Sequence, residues 1–113
     1  VQVIDYNTAD SLFEMMQLTV KSGTARKSFS RLNSSLGRSL YIGGKTGSIT
    51  GGFPHGKHEW FTAFALPKAK PSTDRGISIS VLNILKQKWY IRSAHIAKDI
   101  IEFYYNKIHK NQG

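Results

Sequence analysis

Arg38-Ser39-Leu40-Tyr41-Ile42-Gly43-Gly44-Lys45-Thr46-Gly47-Ser48-Ile49-Thr50 is the stretch that decides the fold. A strand-like run passes into small residues with one lysine among them. The next stretch, Gly51-Gly52-Phe53-Pro54-His55-Gly56-Lys57, has the punctuation of a hairpin loop. A lysine between small residues on a strand can present its ammonium at a cleft floor, and Gly47 lets an extended ligand lie close to the backbone. Thr46 and Ser48 add hydroxyls beside that charge. An anionic, peptide-like ligand is therefore expected to pair with the strand edge, its carboxylate meeting Lys45, Thr46 and Ser48. A phosphate loop is the competing reading, and it fails on two counts. It needs a glycine where Ser39 stands, and it needs a helix starting at Lys45-Thr46, where Gly47, Gly51, Gly52 and Pro54 interrupt.

Outward from this strand, His58 to Ala65 is expected to return antiparallel, and Pro67 to Arg75 to form a loop. Gly76 to Leu85 sets Ile77, Ile79 and Val81 against Ser78 and Ser80, the alternation of a half-buried strand. On the N-terminal side Val1 to Asn7 reads as an extended lead. Thr8 is a candidate N-cap, with Asp10 in the first helical turn. Leu12, Met16 and Val20 recur four apart, with Phe13, Met15 and Thr19 in the adjacent stripe, so an amphipathic helix is expected to end near Gly23, its Met and Phe residues packing a core. Ser28 to Ser39 is rich in Ser, Asn, Arg and Gly and reads as an irregular surface connection. Ser93 is a candidate N-cap for a last helix. Its apolar positions Ala94, Ala97, Ile101, Tyr104 and Ile108, widened by Ile96, Ile100 and Phe103, predict burial against the sheet. The expected fold class is α+β: an antiparallel three-strand meander with an N-terminal helix and a long C-terminal helix packed on the sheet. No repeat or linker divides residues 1–113.

The chain has 113 residues, with 16 Lys+Arg against 7 Asp+Glu and a net charge of +9, a bias toward anionic partners. The cations are scattered from Lys21 to Lys110 and form neither a recognition helix nor an aromatic RNA-binding signature, so no nucleic acid is expected. Zero cysteines exclude disulfides and thiolate metal sites. No apolar run approaches the roughly 18 residues of a membrane span. His55 and His58 stand three apart in a glycine-rich turn without a supporting ligand pattern, and His95 and His109 fall on the last helix, so no metal or cofactor is expected. Trp60 reads as packing or cleft wall.

The Lys45-Thr46-Gly47 triplet resembles the third motif of the penicillin-binding proteins and serine β-lactamases. The order of surrounding segments is similar too. Thr8 to Lys27, with Lys21-Ser22-Gly23-Thr24-Ala25-Arg26, looks like the helix and Gly-Thr turn before that strand, and Glu59-Trp60-Phe61-Thr62-Ala63-Phe64-Ala65-Leu66-Pro67 looks like the next strand. The resemblance covers roughly Thr8 to Tyr105. Its first motif, Ser-x-x-Lys, and its second, Ser-x-Asn, do not occur: Ser28 and Ser35 are each followed three residues later by arginine, and Arg31 and Val81 stand where Asn33 and Asn83 would need serine.

The resemblance implies the C-terminal half of a transpeptidase-like domain whose N-terminal half carries the nucleophile. The parent would attack the D-Ala-D-Ala end of a peptidoglycan stem peptide with serine and pass the acyl group to an amine, and β-lactams would acylate the same serine. In that reading Lys45 supplies positive potential, Thr46 and Ser48 bind the substrate carboxylate, and Gly47 admits the ligand backbone. The Ser48 N–H is one oxyanion donor, whose loss costs on the order of 3 kcal/mol of barrier lowering. The implied location is the periplasmic or extracytoplasmic face of the bacterial inner membrane. A serine β-lactamase, a D,D-carboxypeptidase and a non-catalytic peptide-binding module are the alternatives.

Overall fold

The Lys45 strand and its return form the centre of the computed structural model, which describes residues 1–69, 73–86 and 91–112. The elements are α1 (Tyr6–Lys21), α2 (Arg26–Phe29), α3 (Ser34–Ser39), β1 (Leu40–Gly51), β2 (Gly56–Pro67), β3 (Ile77–Leu85) and α4 (Ser93–Gln112). One antiparallel sheet runs β1-β2-β3, the expected meander between two helices. β1 and β2 pair from Leu40↔Pro67 to Gly51↔Gly56, with Lys45 opposite Thr62 and Ser48 opposite Glu59.

Side chains alternate across a strand, so each face of the sheet has its own packing. One face buries Leu40, Ile42, Phe61, Ala63, Ala65 and Val81 in a single cluster with Phe29 of α2 and with Ala94, Ala97, Ile101 and Tyr105 of α4. Phe29 and Phe61 rings lie 5.9 Å apart. On the opposite face Phe13 of α1 stacks on Phe64 at 5.3 Å and meets the Tyr41 ring edge-on at 5.4 Å.

Gly43 and Gly44 thin β1 where these two layers press in. A Cβ on Gly43 would stand 2.5 Å from the Phe64 ring and 3.0 Å from the Met16 backbone; one on Gly44 would stand 2.3 Å from the Phe61 ring and 2.9 Å from the Thr62 carbonyl oxygen. No L side chain fits at either position without moving an aromatic ring or the backbone itself.

Several local expectations are corrected. The first helix is capped by Asp5, whose carboxylate accepts the Thr8 N–H at 2.7 Å, so Thr8 lies inside the helix, Asp10 falls beyond its first turn and the extended lead stops short of Tyr6. That hydrogen bond also holds the Asp5 carboxyl below the usual range. The inward stripe of α1 is Phe13, Met16 and Val20, whereas Leu12 and Met15 are exposed. Apolar residues cover more than one side of this helix, and periodicity alone does not say which side the sheet takes.

Ser28 to Ser39 is not irregular. It holds α2 and α3, with Ser28, Phe29 and Leu36 buried and Asn33 capping α3 by accepting the Ser35 and Leu36 N–H groups at 2.9 and 3.2 Å. The polar composition hid three apolar residues at helical spacing, Phe29, Leu32 and Leu36. On α4, Ile100 and Phe103 are exposed and Tyr105 is buried, a narrower face than expected. Lys98 is also buried on this helix, its Nζ 2.7 Å from the Asp99 carboxylate and 3.9 Å from that of Glu102, which offsets the cost of removing the ammonium from water. Of the expected Pro67–Arg75 loop, residues 70–72 lie outside the described residues, as does the His109 side chain. Among the described residues no helix is long and apolar enough to cross a membrane.

Two outcomes test this packing. Gly44→Ala should lower the chemical-denaturation midpoint, with a loss of at least about 1–3 kcal/mol, the range for overpacking a close-packed core. Tyr105, whose hydroxyl donates to the Ala65 carbonyl at 3.4 Å, has its pKa raised by burial first and by the Asp74 carboxylate second. Its contribution to stability is full below the unfolded phenol's value of about 10 and is lost as pH rises beyond it. The stability gap between the native chain and Tyr105→Phe should therefore narrow above about pH 10; thermal melts that fall in parallel with pH would contradict the assignment.

Candidate functional site at the free edge of β1

The polar groups of β1 divide by residue parity. A strand residue points its N–H and C=O to the same side, and successive residues alternate. The Ser39 carbonyl accepts the Lys68 N–H at 3.0 Å, which sets odd-numbered positions toward β2. The Thr46 carbonyl accepts a hydrogen bond from Lys45 Nζ at 2.8 Å, which sets even-numbered positions outward. Thr46 and Ser48 therefore turn N–H and C=O to the edge that no strand among the described residues covers. Such an edge is a template for another extended chain.

Side chains add a second division. Lys45 and Gly47 rise from the α1 face, opposite Thr62 and Trp60, while Thr46 and Ser48 rise from the α4 face. Four of the predicted residues thus share one edge, but the ammonium and the Ser48 hydroxyl start from opposite faces. Lys45 crosses to the edge by bending its chain over the Thr46 carbonyl. Trp60 is 45% exposed beside Gly47, on the open part of the sheet, where it forms an apolar wall.

On the α4 side, Thr24, Thr46, Gly47, Ser48, Lys57, Glu59 and Arg92 line a cavity of about 200 Å³. Thr24 belongs to the Gly-Thr turn after α1, and its hydroxyl lies 3.2 Å from that of Thr46, so the turn and the strand meet as a hydroxyl pair. Glu59 anchors the opposite wall. Its carboxylate accepts the Ser93 N–H at 2.8 Å, and its backbone carbonyl accepts the Ser93 hydroxyl at 2.8 Å. Ser93 is consequently not the N-cap. It is the first residue of α4 and is tied by a tertiary clamp, while the preceding Arg92 carbonyl accepts the Ile96 N–H at 3.2 Å. Lys57 lies 3.9 Å from the Glu59 carboxylate.

Sequence reasoning missed Thr24 as a site residue and missed Glu59 and Arg92 altogether. Thr24 does carry a sequence signal, since Gly23-Thr24 stands in the order of segments on which the resemblance rests. Glu59 and Arg92 carry no local signal, because 33 positions of sequence separate them and only the β2–α4 packing brings them to one cavity. His58 is occupied in the hairpin, where its Nε2 shares a 2.8 Å hydrogen bond with the Pro54 carbonyl.

A larger cavity, about 410 Å³, lies between α1, α2 and β1, lined by Val20, Phe29, Leu32, Leu40 and Ile42 with Lys21, Arg26 and Lys68 among the polar residues. It is the roomier of the two, and its floor is apolar. The smaller cavity joins the Thr24, Thr46 and Ser48 hydroxyls, the outward-facing strand edge, the cations Lys57 and Arg92 and the Glu59 carboxylate at one place, and its donors are of the kind a carboxylate accepts from. No family model, curated protein or solved structure matches the chain.

Replacing Glu59 by Ala leaves the Ser93 N–H without that acceptor. The change should cost about 1–3 kcal/mol of stability and should speed amide exchange in the first turn of α4, measured by hydrogen–deuterium exchange; unchanged exchange at Ser93 to Ile96 would contradict the clamp.

Proposed function

We propose that this chain forms the carboxylate-gripping wall of a penicillin-binding-type D,D-acyl-transfer site, the C-terminal part of a serine D,D-transpeptidase domain. The observation that carries the reading is the outward parity of Thr46 and Ser48 on an open strand edge, with Lys45 folded over that edge. An extended peptide ending in D-Ala-D-Ala would lie antiparallel or parallel beside β1 as an added strand. Its terminal carboxylate would meet the Thr46 and Ser48 hydroxyls. Its scissile carbonyl would accept the Ser48 N–H, a donor already aimed and rigid, which is how an oxyanion is stabilised as charge develops.

Lys45 would hold positive potential across the edge from the carboxylate and supply the cationic side of a proton relay to a serine on another segment. Gly47 removes the side chain that would keep the ligand backbone away, and Trp60 walls the path. The nucleophile is outside this reading of the chain's own residues, since no serine here is followed three positions later by lysine. Peptidoglycan stem peptides and β-lactams are the proposed ligands, the segment bearing the nucleophile is the proposed partner, and an extracytoplasmic location follows from that substrate. Support comes from the order of the Gly-Thr turn, Lys-Thr-Gly strand, returning strand and final helix, and from the hydrogen-bonded Thr24–Thr46 pair that joins two of those segments.

Titration of the chain with a pentapeptide ending in D-Ala-D-Ala, followed by amide NMR shifts, tests the proposal. Saturable shifts should centre on Thr46 to Ser48, and Lys45→Ala or Ser48→Ala should each weaken binding by about tenfold, the worth of one charge-assisted hydrogen bond. Shifts confined to the Phe29–Leu40 cavity, or none at all, would contradict it.

A further inference from the structure

The larger cavity, about 410 Å³ between α1, α2 and β1, plays no part in the proposed peptide site. Its volume falls within the range of about 300–1,000 Å³ that small-molecule clefts occupy. Val20, Phe29, Leu32, Leu40 and Ile42 give it an apolar floor that is continuous with the buried core. The polar residues that line it include three cations from three segments: Lys21 at the end of α1, Arg26 at the start of α2 and Lys68 just after β2. Lys68 is positioned by its own N–H, given to the Ser39 carbonyl at 3.0 Å, and by the Tyr41 ring, whose centroid lies 5.3 Å from Nζ.

No aspartate or glutamate lines this cavity, and among the described residues none of the three cations has an ion-pair partner. The neutral polar groups, by contrast, are committed within their helices. The Gln17 amide donates to the Phe13 carbonyl at 3.3 Å and the Ser30 hydroxyl to the Lys27 carbonyl at 2.8 Å. Like charges gathered around one cleft repel, and an anionic group placed among them removes that repulsion. Apolar floor and cationic rim together match a ligand with one chain and one negative end.

Gly37 keeps one wall of the cavity low. It lies inside α3, where glycine is a poor helix former, and its φ is not positive, so the backbone does not call for it. A Cβ there would meet only Leu32 Cδ2 outside its own helix, at an ordinary 3.6 Å. Leu32 is part of the floor, so a longer side chain at position 37 grows into the cavity.

We propose that this cavity binds an amphipathic monoanion, an aliphatic chain ending in a carboxylate, with the chain on the Val20, Phe29 and Ile42 floor and the carboxylate among Lys21, Arg26 and Lys68. The proposal is independent of the peptide reading, since the two cavities share no residue.

The test titrates octanoate, octanol and butyrate, each below the concentration at which it self-associates, and follows amide NMR shifts. Octanoate should give saturable shifts centred on Val20, Phe29, Leu32 and Leu40. Octanol, which lacks the charge, should bind about tenfold more weakly, and butyrate, whose chain is half as long, weaker still by at least about tenfold than octanoate. Lys21→Gln with Arg26→Gln should weaken octanoate about tenfold and leave octanol unchanged. Lys27→Gln with Arg31→Gln, which removes the same charge outside this cavity, should change neither. Gly37→Met should weaken both ligands at least about tenfold, and amide shifts away from α3 that match the native chain separate a filled cavity from a lost fold. Octanol binding as tightly as octanoate overturns the anion assignment, as do equal losses in the two double variants, since net charge would then be the cause. Native-like octanoate binding by Gly37→Met, shifts centred elsewhere, or no saturable shifts overturn the site itself.

Discussion

A β-strand can commit only half of its polar backbone to one neighbour, and in β1 that constraint organises everything around the site. Odd-numbered residues bond to β2, so Thr46 and Ser48 are left facing outward. The same alternation sends Thr46 and Ser48 side chains toward α4 and Lys45 and Gly47 toward the α1 face. Gly43 and Gly44 sit immediately before this segment, and their missing side chains let Phe64 and Phe61 close on the strand from both sides. The edge is therefore clamped at its base and open at its tip. In the proposed acyl-transfer reading, rigidity there matters because a donor that needs no reorganisation stabilises developing charge more than one that must be recruited.

The architecture was legible because its signals are local. The hairpin glycines, the Ile-Ser alternation of β3 and the apolar spacing of α4 each specify an element without reference to the others. Errors arose where two local signals compete or where tertiary contact decides. Asp5 and Thr8 are both good caps, and the carboxylate nearer the chain start takes the N–H. Phe29, Leu32 and Leu36 are sparse enough to look like loop residues until β1 gives them a surface to bury. α1 offers apolar residues on two sides, and the sheet accepts Phe13, Met16 and Val20 while leaving Leu12 and Met15 outside.

The site divides in the same way. Lys45, Thr46, Gly47 and Ser48 were legible because they are consecutive, and strand parity alone fixes which of them face the edge. That Lys45 and Ser48 start from opposite faces also follows from parity, although their closeness in sequence sets charge beside hydroxyl. Arg92 and Glu59 were illegible. They join the cavity only because the Glu59 carboxylate and carbonyl capture Ser93 across the β2–α4 interface. A cavity built from one motif strand, one turn and one helix start is consistent with recognition of a short anionic group held against a strand edge.

Residue-resolved amide hydrogen exchange, with and without a saturating D-Ala-D-Ala pentapeptide, tests the central claim of an outward-facing, ligand-ready edge most directly. The account predicts slow exchange at Lys45 and Gly47 in both states, and exchange at Thr46 and Ser48 that is fast in the free chain and slow with the peptide bound. Protection of Thr46 and Ser48 in the free chain, or exchange there that the peptide does not change, would contradict it.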